Sequence, residues 1–402
     1  MDNIEIYYTK YINSIDTPLY LVNQMTNKIP RDVWKNKNIK ILDFACGAGI
    51  FGHKIFNVLN QSLADEIPDV NERKNHIINN MLYFNDIDVN KINIIKETFN
   101  TKNVLLGDLL ELEINMKFDV IIGNPPFQKT KTVKSNGNAI WFKFVDKLIK
   151  ILNVEGYMSL IHPNGWRKCS SDGCKYTFLY EKLTKDMQML YLEIHNSYDA
   201  RNVFNNSVRY DWYVIHNKKK YKYTIINDEN RVLNSIDLAQ WKFIPNHSYK
   251  LVSEILKCPG DKINILYDRS SYCTTAKNIS TIKTDKFIYP VINSITKNCI
   301  KLLYSSVNTL GMYGVKKVII PETNIFNSIY DNDGKYALSE SCSAILVKSD
   351  NEGMRILSAI KTRIFKIFVS SVKYSNYRFD YRIFYYLNDG IWEFFLHCNN
   401  VY

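Results

Sequence analysis

Three short apolar runs, each carrying or meeting an acid at its end, narrow what this chain can become. Residues 39–44 hold Asp43; residues 81–84 run into Asn85-Asp86; residues 104–106 run into Gly107-Asp108. Between the first two, Phe51, Ile55, Val58 and Leu59 fall at helical spacing, and a second helix is expected from near Val89. Strands alternating with helices imply a parallel, doubly wound sheet. Ligands of such sheets collect at the carboxyl ends of the strands, where these acids recur.

The first run opens into Ala45-Cys46-Gly47-Ala48-Gly49-Ile50-Phe51-Gly52. Gly47 and Gly49 permit a tight turn and close approach to a ligand, and the helix start offers free N–H groups. Gly47-x-Gly49-x-x-Gly52 also matches the dinucleotide fingerprint, which alone is weak. Asp43 tips the balance, because an acid before the loop repels phosphate and suits a ligand's ammonium group. Asp86 is expected to hold a ribose diol, with Asp88 as the helix cap. Asp108 is placed to meet an adenine amine, and Ile87 and Leu109 to sandwich its ring.

A fourth run, Phe118-Asp119-Val120-Ile121-Ile122, leads to Asn124-Pro125-Pro126-Phe127. This corner presents a side-chain carbonyl, a backbone carbonyl and a flat ring to one small place. Two acceptors suit the two N–H protons of a planar amine, and the ring suits stacking beneath its heterocycle. A plain rigid turn is the alternative, since proline pre-sets φ.

Taken in order, these motifs resemble the S-adenosylmethionine-dependent adenine-N6 DNA methyltransferases of restriction-modification type, in the circularly permuted class called gamma. Asp16-Thr17-Pro18 resembles that family's N-terminal Thr-Pro motif, residues 156–163 its fifth strand, and Val203-Phe204 its later aromatic motif. The resemblance spans roughly residues 10–217. It implies a doubly wound, mostly parallel Rossmann-like methyltransferase sheet over residues 1–217, then a mixed α+β DNA target-recognition domain over 218–402. It further implies S-adenosylmethionine as cofactor, held by Thr17, Asp43, Ala45, Gly47, Gly49, Asp86, Ile87, Asp108 and Leu109. Asn124, Pro125, Pro126 and Phe127 would be catalytic, with Phe127 and Phe204 stacking on an extruded base; Tyr210 and Trp212 compete for the place of Phe204. Double-stranded DNA is the implied partner of a monomer, with a separate restriction endonuclease as a candidate companion. The cytoplasm of a prokaryote is the implied compartment, whether the gene is cellular or belongs to a phage or large DNA virus. The alternatives are an RNA adenine, cytosine-N4 or protein glutamine methyltransferase, or a non-catalytic nucleic-acid-binding relative.

The rest of the chain bears on partners. A formal net charge of +12 over 402 residues suits a polyanion. Eight scattered cysteines form no zinc pattern and read as free thiols. No apolar run reaches the ~18 residues a membrane span needs. Residues 65–80 are a polar insertion or an extra helix, and Pro68-Asp69 with Glu72-Arg73-Lys74 mimics a nuclease metal motif by coincidence. The basic loop at 129–137 is expected to close over DNA. The basic run at 217–223 marks the domain boundary, a helix is expected around residues 356–368, and the basic and aromatic residues at 373–382 are candidates for phosphate and base contact.

Overall fold

The structure is a computed structural model that describes residues 7, 9–10, 17–128, 138–168, 176–218 and 222–398. The expected basic loop at 129–137, as well as Cys169 and Cys174, lie outside the described residues.

The chain divides into two compact units, Met1–Ile244 and Pro245–Tyr402. In the first, α1 (Leu19–Lys28) buries Leu21, Val22 and Met25 on one side. Alternating elements follow: β1 (Ile41–Phe44), α2 (Ile50–Ser62), α3 (Val70–His76), β2 (Leu82–Asp86), α4 (Val89–Phe99), β3 (Val104–Leu106), β4 (Phe118–Gly123) and α5 (Trp141–Ile151). After them come β5 (Leu152–Pro163), α6 (Thr177–Glu181), β6 (Gln188–Ile194), α7 (Ser197–Phe204), β7 (Tyr210–His216), β8 (Thr224–Asn227) and β9 (Leu233–Ile236). The strands form one sheet in the order β3-β2-β1-β4-β5-β7-β6-β8-β9.

Pairing is parallel from β3 through β5, whereas β7 runs antiparallel to both of its neighbours. Because β1 pairs with β2 on one side and β4 on the other, the chain direction switches there and opens a crevice at the carboxyl ends. All four residues of β1 are buried, as expected of a strand covered on both faces. The covering apolar side chains, among them Phe56, Leu59, Ile92 and Ile95, form one cluster with the sheet.

The polar insertion is an extra helix. Asp69 caps α3 by accepting from Glu72 N at 2.7 Å, which accounts for the apparent metal motif. Asp88 caps α4, as its position suggested. The boundary differs from the one expected at 217/218: β8 pairs in parallel with β6, so the hairpin of β8 and β9 completes the first sheet, and the units divide after Ile244. A basic, polar run between strands has the composition of a linker, and the pairing that follows it is nonlocal.

Among its described residues the second unit holds two four-stranded sheets and four α-helices. Its strands are β10 (Ile265–Leu266), β11 (Ile279–Ser280), β12 (Tyr289–Ile295), β13 (Ile300–Ser305), β14 (Lys317–Pro321), β15 (Ile329–Asp331), β16 (Ala337–Leu338) and β17 (Cys342–Leu346). They pair in the orders β10-β17-β14-β15 and β11-β13-β12-β16. The helices are α8 (Tyr249–Leu256), α9 (Asp350–Ile360), α10 (Arg363–Ser371) and α11 (Ile391–His397). The single helix expected over residues 356–368 is two, because Thr362 leaves the helix and caps α10 through its hydroxyl, which accepts from Phe365 N at 3.2 Å. Lys317 and Asp331 form a fully buried ion pair at 2.7 Å inside this unit.

Candidate active site

The glycine loop is shaped by left-handed backbone. Ala45, Gly47 and Gly49 have φ of 46°, 56° and 82°. Its turn is tied to the end of β2: Cys46 N donates to Asn85 O, and Gly47 N donates to the Asp86 carboxylate, both at 2.9 Å. The second Asp86 oxygen accepts from Asp88 N at 2.9 Å. Gly52 is needed for close approach, since a Cβ there would collide with the Phe84 ring.

Asp43 is buried, and one of its oxygens accepts from Gly52 N at 2.8 Å, holding the start of α2. The other has no hydrogen-bond partner among the described residues. Burial pushes its carboxyl well above the usual range; the Gly52 hydrogen bond opposes this and the neighbouring Asp86 charge adds to it. A folded state that keeps a proton the unfolded chain releases loses stability as pH rises above the ordinary carboxylate value. Asp43→Asn should therefore gain stability relative to the parent protein as pH rises above about 4. Urea denaturation across that range checks this, and a constant gap would mean that Asp43 ionises normally in the fold.

At the end of β4, Asn124 donates from Nδ2 to Thr17 Oγ1 at 3.2 Å. Its Oδ1 is buried and has no partner among the described residues. An amide oxygen left this way is costly, about 1–3 kcal/mol, and ready for an incoming donor. Pro125 is buried, while Phe127 is half-buried and meets Phe204 edge to face at 5.7 Å. Phe204 packs in turn on Tyr210 at 5.0 Å.

A cavity of about 550 Å³ joins these parts. Its wall includes Ala45, Asp86 and Ile87 from the ends of β1 and β2, and Asn124, Pro125, Pro126, Phe127 and Phe204 from the ends of β4 and α7. Thr17, Asp43, Gly47, Gly49, Asp108 and Leu109 lie outside that wall. Thr17 sits behind Asn124; Leu109 is buried, and Asp108 accepts from Leu110 N at 3.0 Å. Tyr210 and Trp212 are buried in the core, so Phe204 is the ring that faces Phe127. Lys91, Asn205 and Asn206 line the cavity without having been singled out from the sequence. Asn205 is left-handed at φ 51°, a conformation in which asparagine is enriched, and an Asn-Asn pair after Val203-Phe204 was the available signal. Among the described residues no group of acids, histidines and cysteines could hold a metal ion.

Ala45 of the turn after β1, Asp86 at the end of β2 and the Asn-Pro-Pro-Phe corner after β4 thus line one crevice at the carboxyl ends of a doubly wound sheet. Residues 22–204, a little under half of the chain, match the family model of the Eco57I restriction-modification methylase. This agrees with the resemblance carried by the motifs. An adenine-specific methylase of Mycoplasma pneumoniae, described as uncharacterized, is 34% identical over 90 residues, or 22% of this chain and 20% of that protein. The match thus spans about one fifth of the relative's length. Two solved structures share the fold at low identity. The Type IIL restriction-modification enzyme MmeI, in complex with DNA, matches 94% of this chain and 66% of its own at TM-score 0.53 and 10% identity. The Type ISP enzyme LlaBIII, bound to DNA, matches 88% of this chain and 37% of its own at TM-score 0.52 and 13% identity.

Proposed function

We propose that this chain is a site-specific DNA methyltransferase that moves a methyl group from S-adenosylmethionine to the N6 amine of an adenine swung out of the duplex. The observation that carries the reading is the Asn124 amide: its oxygen has no partner among the described residues and lies, with the Phe127 and Phe204 rings, on a cavity that also reaches Ala45, Asp86 and Ile87.

The residues present fit the cofactor. Three left-handed residues make a cradle, Asp86 offers a carboxylate at the cavity wall, and Ile87, 69% exposed, offers an apolar plate for a ring. Asp43 adds a buried oxygen that has no partner among the described residues. The resemblance assigns Thr17, Gly47, Gly49, Asp108 and Leu109 to the same ligand. When bound, S-adenosylmethionine supplies an electrophilic methyl group carried on a sulfonium.

The chain's own residues do the rest. Asn124 Oδ1 and the Pro125 carbonyl accept hydrogen bonds from the two amine protons, keeping the nitrogen lone pair out of the ring and aimed along the cavity. Once the nitrogen is methylated, its surplus proton lies against these two oxygens, where water can take it. Phe127 covers one face of the base and Phe204 the other. A base between them needs about 7 Å from ring to ring at ordinary carbon contact distances, so the edge-to-face pair must part and turn parallel as the base enters. Unit Pro245–Tyr402 would read the flanking sequence, a role supported by the positive charge of the chain and by exposed Tyr377 in its basic, aromatic stretch. No helix among the described residues is long and apolar enough to cross a membrane.

The test is direct. Purified protein, unmethylated plasmid and S-adenosylmethionine are incubated, and modified bases are read by single-molecule sequencing. N6-methyladenine in one sequence context is expected; N4-methylcytosine, or methylation confined to RNA or protein, would overturn the reading. Phe127→Ala should weaken capture of the extruded base by about 1–3 kcal/mol, the worth of one stacked base. The fluorescence of 2-aminopurine at the target position measures this, with cofactor affinity unchanged as the control.

A further inference from the structure

Beyond the family match, which ends at residue 204, a second element bears on the base-stacking wall. Strand β8 runs parallel to β6, with Glu193 paired to Asn227. The tip of the β8–β9 hairpin therefore emerges at the same sheet edge as the cavity. There Asp228 closes the turn by accepting from Asn230 N and Val232 N. Arg231 stands in the left-handed region at φ 64°, which an arginine rarely adopts, and so turns its side chain back toward the first turn of α7.

Its guanidinium donates to Asp199 Oδ2 at 2.8 Å and to Glu193 Oε1 at 3.2 Å, and meets His195 Nδ1 at 3.2 Å. On the other side of the same turn, Glu229 pairs with Arg209, where the chain leaves the cavity and enters β7. The tip thus grips both ends of residues 199–209. That segment carries Val203, Phe204, Asn205 and Asn206 of the cavity wall. Phe204 rests on Tyr210, which stacks on His195 at 4.4 Å, itself held by Asp199 at 3.0 Å.

We propose that the β8–β9 hairpin is a brace for the base-stacking wall, with Arg231 and Glu229 as positioning residues that set where Phe204 stands. The brace holds α7 while the two rings part, so that Phe204 moves by side-chain rotation and not by displacement of its helix. This rests on the proposed function for its substrate, but its mechanical part does not.

Two measurements on the full chain separate the possibilities. Hydrogen–deuterium exchange of Arg231→Met should show faster exchange in peptides covering residues 197–209, with β1, β2 and β4 unchanged. Activity should fall by about tenfold or more in kcat/KM for DNA, as misplacement of a positioning group does, with S-adenosylmethionine affinity within about twofold of the parent. Arg231→Lys should recover part of the loss, since it keeps the charge but not the planar fork. Unchanged exchange in 197–209 overturns the brace whatever the activity. Faster exchange with unaltered DNA kinetics also overturns it, by showing that the hairpin stabilises without positioning. If the parent protein methylates no DNA, the proposed function fails, and the exchange result alone decides the brace.

Discussion

Asn124→Ala is expected to lose methyl transfer by about a hundredfold to a thousandfold, the usual cost of removing one preorganised group aimed at developing charge. The substitution removes an acceptor that has no partner among the described residues and leaves Thr17 behind it without its amide donor. Cofactor affinity should stay within about twofold, because Ala45, Asp86 and Ile87 line the other end of the cavity. Single-turnover transfer of labelled methyl, with calorimetry of cofactor binding alongside, reads both quantities. Asn124→Gln sharpens the test. It keeps the amide but moves the oxygen by one methylene, so it should remain strongly impaired if position matters and recover if only an acceptor nearby is needed. A rate near that of the parent in Asn124→Ala would remove this corner from the chemistry.

Much of this arrangement could be read from the residues, and the exceptions have physical causes. Strands β1, β2, β3 and β4 are apolar runs bounded by turn residues, so their positions follow from local pattern, and their alternation with helices implies parallel pairing. Asp88 was legible as a cap because capping chemistry is local. The stacking partner of Phe127 was harder. Strand β7 is buried along its whole length, so no alternation separates Tyr210 and Trp212 from a ring that faces a cavity. Only the tertiary placement of α7 selects Phe204. The hairpin at 224–236 was assigned to the wrong side of the boundary because its pairing with β6 crosses some thirty intervening residues and leaves no local trace. Lys91 falls on an otherwise ordinary first helical turn, and nothing in its spacing distinguishes a cavity wall from solvent.

Arg167→Leu should cost the first unit about 3–5 kcal/mol, the penalty for leaving one member of a buried ion pair without its partner. Arg167 and Asp211 are both fully buried, with Nε and Oδ2 2.7 Å apart. Trp166 Nε1 donates to the same oxygen at 3.1 Å, and the second Asp211 oxygen has no partner among the described residues. Even with Arg167 present, burial lifts the Asp211 carboxyl above its usual range; the arginine charge and its hydrogen bond oppose that rise. Without the arginine the carboxyl should rise further, so the folded variant binds a proton that its unfolded chain releases. The loss should therefore be greatest near about pH 8 and shrink toward about pH 4, as the acid becomes neutral in both states. Arg167→Leu with Asp211→Leu should recover most of the stability, because an apolar pair of similar volume leaves no charge to desolvate. Chemical denaturation of the full chain, followed through the transition of the first unit, measures the series. A loss independent of pH would assign the cost to packing and to the Arg167 bond to Ile244 O at 2.9 Å, not to the stranded charge.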